Sequence, residues 1–265
     1  MIKISMNKNE RREEVIRLLK QLKENSLVHV NSTLICICAL ELLDTVFDGN
    51  YDFPIDIDKI INSLDIPVIY QPLNRDDEEN VVKHNVVGKL MKWTNKITGN
   101  EEKVILIDDL SENSEQRYAL AHELAHYLMQ SKAPRIDSEL WNMPMLFKDP
   151  EEIIADVFAF FVLIPFPNFV KEFELYIDES MAKIRTSDWL NYLSLVADMP
   201  YEQVAIGYEY IRYVSQVIYQ LTSEDQKKKE EIMNLLGEVP DNLLEQLEKM
   251  KQVLQENGRI EKLFS

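Results

Sequence analysis

The sequence is poor in cysteine. Among 265 residues only Cys36 and Cys38 are present, in the apolar run Leu34-Ile35-Cys36-Ile37-Cys38-Ala39. Positions i and i+2 point apart on a helix, which disfavours a disulfide or a shared metal there and leaves two buried, reduced thiols. Positive charge is scarce as well: 29 Lys and Arg stand against 46 Asp and Glu, a net charge of −17. Such a surface repels phosphate backbones and anionic membranes, so neither direct nucleic-acid binding nor membrane binding is expected. Long apolar runs are missing. The longest, residues 33–40 and 157–166, fall far short of the roughly 20 residues that span a bilayer. Residues 1–12 are polar and lack the apolar core of a signal peptide. The expectation is a cytoplasmic protein. No internal repeat or low-complexity stretch is found.

What is present is enough apolar sequence, 46% of residues, to bury a substantial core in one domain or two smaller ones. Residues 9–24 read as an amphipathic helix with Val15, Leu18, Leu19 and Leu22 on one face. Residues 33–47 read as a buried helix capped by Asn31 or Ser32 and ended by Gly49-Asn50. Residues 54–64 suggest a third helix, with Ile57, Ile60, Ile61 and Leu64 as its stripe. A short strand at 67–70 follows, then a polar loop at 75–80. A hairpin comes next, pairing 86–93 with 103–107 around Gly99-Asn100. The fold class expected is α+β and mostly helical. A small sheet of about three strands packs on one central helix, with extra helices at both ends. The expected division is 1–50, 51–175 and 176–265.

That central helix carries Ala121-His122-Glu123-Leu124-Ala125-His126, the pattern H-E-x-x-H, and uses two of the chain's four histidines. Positions i and i+4 share a helix face, so both imidazoles can close on one ion at about 2.0–2.1 Å. A carboxylate beside the first His can take a proton from a water activated there. Asn113 with Gln116 fits a variant capping box for this helix. Ala121, Leu124, Ala125 and Leu128 form its core stripe, which places His122 and His126 at the edge of the core. Tyr118 and Tyr127 flank the motif and read as packing residues, and His84 as a surface histidine. The long loop 132–148, with Trp141, Met143, Met145, Leu146 and Phe147, is a candidate rim.

Catalytic zinc needs a third protein ligand. The helix opening at Asp149-Pro150-Glu151-Glu152 is apolar all round from Ile153 onward except at Asp156. Glu152 and Asp156 are i and i+4. They can deliver one carboxylate to the ion and a second to the far nitrogen of a ligating histidine. Glu152 has an ordinary explanation too, since Asp149 and Glu152 would make a capping box. Glu151 is a rival ligand without the i+4 partner. An Asp buried in an apolar helix must find a polar partner, and capping does not supply one.

These stretches resemble the ImmA/IrrE family of zinc metallopeptidases. The resemblance rests on Val104-Ile105-Leu106-Ile107-Asp108, on Arg117-Tyr118-Ala119-Leu120-Ala121-His122-Glu123-Leu124-Ala125-His126-Tyr127-Leu128, and on Glu152-Ile153-Ile154-Ala155-Asp156-Val157-Phe158-Ala159 running into Phe161-Val162-Leu163-Ile164-Pro165. It covers residues 51–170. It implies His122, His126 and Glu152 as zinc ligands, Glu123 as catalytic base and Asp156 as the carboxylate behind a ligand. Ala125 stands where the family often has Gly, and Ile164 where Met is common; neither is a ligand. The implied substrate is a protein, typically a transcriptional repressor cut to release mobile-element or stress-response genes.

Past Pro167 the chain reads as helical. Residues 188–197 and 200–213, joined at Asp198-Met199, resemble a helix-turn-helix, but Arg185 and Arg212 face Asp188, Asp198, Glu202 and Glu209 in that stretch. The excess of acid suits packing better than DNA reading. Leu243, Leu247, Met250 and Leu254 begin a coiled-coil seam that suits docking on the body or a homodimer. Two functions follow: an intracellular zinc endopeptidase, or a zinc-binding regulatory protein that acts through its helical ends without proteolysis. Glu123 favours the first, because a structural site needs no base.

Overall fold

Helical and alternating apolar periodicities become ten helices and one three-stranded sheet among the described residues of a computed structural model. Those residues are 7–22, 28–73, 86–94, 101–129, 149–179, 185–223, 225–236 and 239–257. The polar loop 75–80, His84, the Gly99-Asn100 turn and the Trp141 to Phe147 rim lie outside them.

Helix α1, Lys8–Leu22, buries Val15, Leu18, Leu19 and Leu22, the stripe its periodicity predicts. Helix α2, Val28–Phe47, starts five residues before the expected 33, so Asn31 and Ser32 sit inside it and do not cap it. A cap stabilises by only about 1 kcal/mol, and burial of a helix that is apolar on most sides outweighs that. Helix α3, Ile57–Ser63, is shorter than 54–64 because Asp56 caps it, accepting the Lys59 N–H at 3.0 Å.

Strands β1 Val68–Tyr70, β2 Gly88–Thr94 and β3 Glu101–Ile107 lie in the order β1-β3-β2. The expected hairpin is there: β2 runs antiparallel to β3 with Leu90 opposite Ile105. β1 adds parallel to β3, with Val68 opposite Ile105. Leu90 and Ile105 are buried on the sheet face that meets helix α4, Asn113–Met129.

Helices α5 Pro150–Leu163, α6 Phe166–Glu179, α7 Thr186–Ala197, α8 Tyr201–Thr222, α9 Gln226–Leu236 and α10 Asp241–Glu256 complete the described chain. No single helix among the described residues is long and apolar enough to cross a membrane. α2 packs against α1, α5, α8 and α10, and α4 against α5 and the sheet. One continuous hydrophobic cluster runs through elements of all three expected segments. The helix-turn-helix-like pair is α7 and α8, and α8 is bound to the core: Val204, Tyr210, Ile211, Val214 and Ile218 are buried. Its Gly207 is required by a close approach to α5, since a Cβ there would stand 1.9 Å from Phe160 Cδ2. The seam Leu243, Leu247, Met250 and Leu254 is buried against the chain's own α2, α6 and α8. A dimer through the C-terminal helices would therefore have to use other faces.

One polar cluster has no counterpart in the sequence reading. The Glu41 side chain, buried on α2, accepts from Arg11 Nη2 of α1 at 2.9 Å, and from Asn242 at 2.8 Å and Gln246 at 3.0 Å, both of α10. Gln246 also reaches Asp44, which pairs with Lys249. These bonds pin both ends of the chain onto α2. Burial pushes the Glu41 carboxyl up, but the bonds from Arg11, Asn242 and Gln246 outweigh it and hold it below its ordinary value. A lowered carboxyl adds stability above its unfolded-state value of about 4.3, and that stability is lost as pH falls through the folded value. Glu41→Gln is expected to lower unfolding free energy at neutral pH by about 1–3 kcal/mol. Urea titrations at neutral pH and below the carboxylate range check this. The gap between wild type and variant should narrow in acid; a constant gap would show that the Glu41 charge contributes nothing.

Candidate metal centre

The loop before α4 sets the helix in place. Asp108 accepts from the Leu73 N–H at 2.8 Å and the Ser111 hydroxyl at 2.9 Å. The expected Asn113–Gln116 capping box does not form. Asn113 is already helical and its amide donates to Asp198, while Gln116 donates to the carbonyls of Asp108 and Ser111. The loop carbonyls of Asp108 and Ser111 and the nearby Asp198 win these side chains. Arg117 donates to the Ile55 carbonyl at 3.0 Å and pairs with Asp198 at 3.3 Å. That arginine therefore clamps the N-terminal part of α4 to the segment just before α3 and to the α7–α8 turn.

α4 is then covered on both flanks, by α5 and by the sheet. β2 comes close because of Gly88, where a Cβ would stand 2.9 Å from the Ala119 Cβ and 3.3 Å from Glu123 Cγ. His122, Glu123 and His126 are fully buried, not at the edge of the core as their helical positions suggested. The helix wheel ranks faces by composition; it does not show that two neighbours close on both sides.

α5 brings the carboxylates. Pro150 occupies its first turn, and Asp149 caps it by accepting the Glu151 N–H at 2.9 Å. The capping box with Glu152 does not form among these contacts. Glu152 instead turns to the histidines, with Oε2 at 3.2 Å from His122 Nε2 and Oε1 at 3.3 Å from His126 Nε2. The two Nε2 atoms are 3.0 Å apart. Glu151, the rival, is not part of this cluster.

These separations fit a metal ion. Tetrahedral zinc with bonds of about 2.0–2.1 Å sets neighbouring donor atoms about 3.3–3.4 Å apart. The donors of His122, His126 and Glu152 all lie within 4.8 Å of one another. Mixed imidazole and carboxylate donors suit zinc. Two imidazole nitrogens in contact at 3.0 Å repel through their lone pairs unless a proton or a cation lies between them.

Asp156 stands behind His122, its Oδ1 2.9 Å from His122 Nδ1. The approach is close but not a straight N–H···O bond. The same oxygen accepts from the Tyr118 hydroxyl at 3.0 Å. Sequence reasoning treated Tyr118 as packing. The signal for more was its place one helical turn before His122, on the same face. Tyr127 is partly buried, with the Lys103 ammonium 6.0 Å from its ring centre.

The electrostatics separate these groups. Burial pushes His122 down, but Asp156 and Glu152 outweigh it and raise the imidazole to about 10. Burial lowers His126, and Glu152 offsets this only in part. Burial raises Glu152, but both histidines outweigh it and hold the carboxyl well below the usual range. Glu123 moves the other way: burial, helped by the Glu152 charge, pushes it up to about 8. Neither Glu123 oxygen makes a hydrogen bond of good geometry. Of the carboxylates here, one is primed to stay ionised beside the histidines and one to hold a proton.

Residues 61–186 match the Peptidase_M78 family, described as the IrrE N-terminal-like domain. The match takes in His122, Glu123, His126, Glu152 and Asp156 and lies somewhat further along the chain than the 51–170 covered by the motifs. No curated protein matches.

Glu152→Ala separates ligand from cap. As a ligand, its loss should weaken zinc binding by more than about a hundredfold, beyond the effect of outer partners. The ordinary cap reading expects a stability loss of about 1 kcal/mol and unchanged zinc binding. Zinc per chain after dialysis, read by elemental mass spectrometry, decides between them.

Proposed function

Because residues 61–186 carry an IrrE N-terminal-like domain, the chain belongs to the Peptidase_M78 family, and we propose that it is a cytoplasmic zinc endopeptidase that cleaves a regulatory protein such as a transcriptional repressor. The observation that carries this reading is the meeting of His122, His126 and Glu152 donors beside a buried Glu123 that is not one of them. A structural zinc site has no use for that fourth group.

When bound, zinc supplies Lewis acidity toward a water and the scissile carbonyl, and a positive charge that favours ionised Glu123. His122 Nε2, His126 Nε2 and a Glu152 oxygen would hold it. Asp156 keeps the His122 ring turned so that Nε2 faces the other ligands. A Glu123 oxygen accepts the proton as the water oxygen bonds to the peptide carbon. Glu123 then delivers that proton to the nitrogen of the leaving amine as the C–N bond breaks. The buried surroundings keep bulk water from competing for these hydrogen bonds.

The repressor as substrate rests on the family resemblance. The net charge of −17 supports it, since an acidic chain attracts a basic, DNA-binding protein and does not compete for the DNA. The full burial of His122, Glu123 and His126 favours the second reading, a zinc-binding regulatory protein without proteolysis.

Zinc-loaded wild type and Glu123→Gln, incubated with repressor candidates encoded alongside, distinguish the two. Wild type should release defined fragments. Glu123→Gln should retain one zinc per chain and cleave about 10²–10⁴-fold more slowly. Cleavage at the wild-type rate by Glu123→Gln would remove it as the base. A repressor bound but left intact by both proteins would favour the regulatory reading.

A further inference from the structure

We propose that Tyr118 is a positioning residue of this centre: its hydroxyl anchors Asp156, and the anchored carboxylate fixes the ring orientation and tautomer of His122. The proposal rests on the reading that His122, His126 and Glu152 hold a divalent ion.

Tyr118 and His122 lie one turn apart on α4, with ring centres 6.2 Å apart and planes tilted by 50°. Asp156 approaches from α5, the one ionisable residue in an otherwise apolar stretch from Ile153 to Ile164. Its Oδ1 meets both partners, the Tyr118 hydroxyl at 3.0 Å and His122 Nδ1 at 2.9 Å. All three side chains are buried. A carboxylate away from water needs firm donors, and each one removed costs more there than at the surface.

The direction of each bond follows. Burial and the Asp156 charge raise the Tyr118 phenol well above its ordinary value, so it keeps its proton and donates. Ionised Asp156 only accepts. The His122 nitrogen facing it must then carry hydrogen, which leaves Nε2 with the lone pair directed at His126 and Glu152. The imidazole approach to Asp156 is not straight, so that contact alone does not set the carboxylate plane. The Tyr118 bond supplies a second fixed point. A residue that only filled this space would need no hydroxyl, and burying one without a partner would be unfavourable.

Phenylalanine keeps the ring and removes the anchor. Zinc affinity is measured by competition with a chromophoric chelator for wild type, Tyr118→Phe, Asp156→Asn and the double variant, each checked for folding by circular dichroism. Tyr118→Phe is expected to bind zinc about tenfold more weakly, at the lower end for an outer partner of a ligand. In the Asp156→Asn background the same change should have no further effect beyond about twofold, because Tyr118 acts through that carboxylate. A purely structural tyrosine would weaken both backgrounds equally, and that result overturns the proposal. So does undiminished affinity in Tyr118→Phe. Failure of wild type to bind zinc would instead overturn the ligand reading itself, and this role with it.

Discussion

Two imidazoles and three carboxylates share a small, largely buried space, and the rest of the structure is arranged around that constraint. His122, Glu123 and His126 come from one turn and a half of α4, Glu152 and Asp156 from the facing turns of α5. Removing one charge from water costs several kcal/mol even after relaxation, so such a cluster is stable only if its charges are balanced in place. Protons can balance it in part, as the opposite shifts of Glu152 and Glu123 show. A divalent cation at the point where the three donors converge would balance it more completely and would order both imidazoles at once. The chemistry of the site and its stability are thus the same problem.

Holding two helices at the required spacing takes most of the fold. The sheet presses α4 from one side through the close approach at Gly88. α2 and α8 support α5 from the other, with Gly207 admitting the Phe160 ring. α10 and α1 are in turn tied to α2 through Glu41. The family match ends at residue 186, yet α8, beyond it, packs directly on the helix that carries Glu152 and Asp156. The helices outside the matched region therefore buttress the centre.

Much of this was legible in the sequence, for reasons that differ from element to element. The stripes of α1 and α3, the β2–β3 hairpin and the His122–His126 spacing are local, set within a few residues, and the structure has them. The partners of Glu152 were ambiguous because a cap and a ligand have the same residue type at the same place; the histidines it meets lie on the facing α4. The Glu41 cluster joins residues 30 and about 200 positions apart, and no local pattern marks it. Tyr118 looked like packing because its hydroxyl partner lies on another helix. Asn113 and Gln116 had the composition of a cap, but Asp198 and the loop carbonyls took their side chains. Apart from Gln116, held by carbonyls 5 and 8 residues away, what the sequence did not show was decided by a neighbour distant in the chain.

The most direct measurement of the central claim is X-ray absorption at the zinc edge of the loaded protein. Ligation by His122, His126 and Glu152 gives a first shell of nitrogen and oxygen at about 2.0–2.1 Å, with the multiple-scattering signature of two imidazoles. Sulfur at about 2.3 Å would place the ion on Cys36 or Cys38, and a shell without imidazole would remove it from His122 and His126; either would contradict the account.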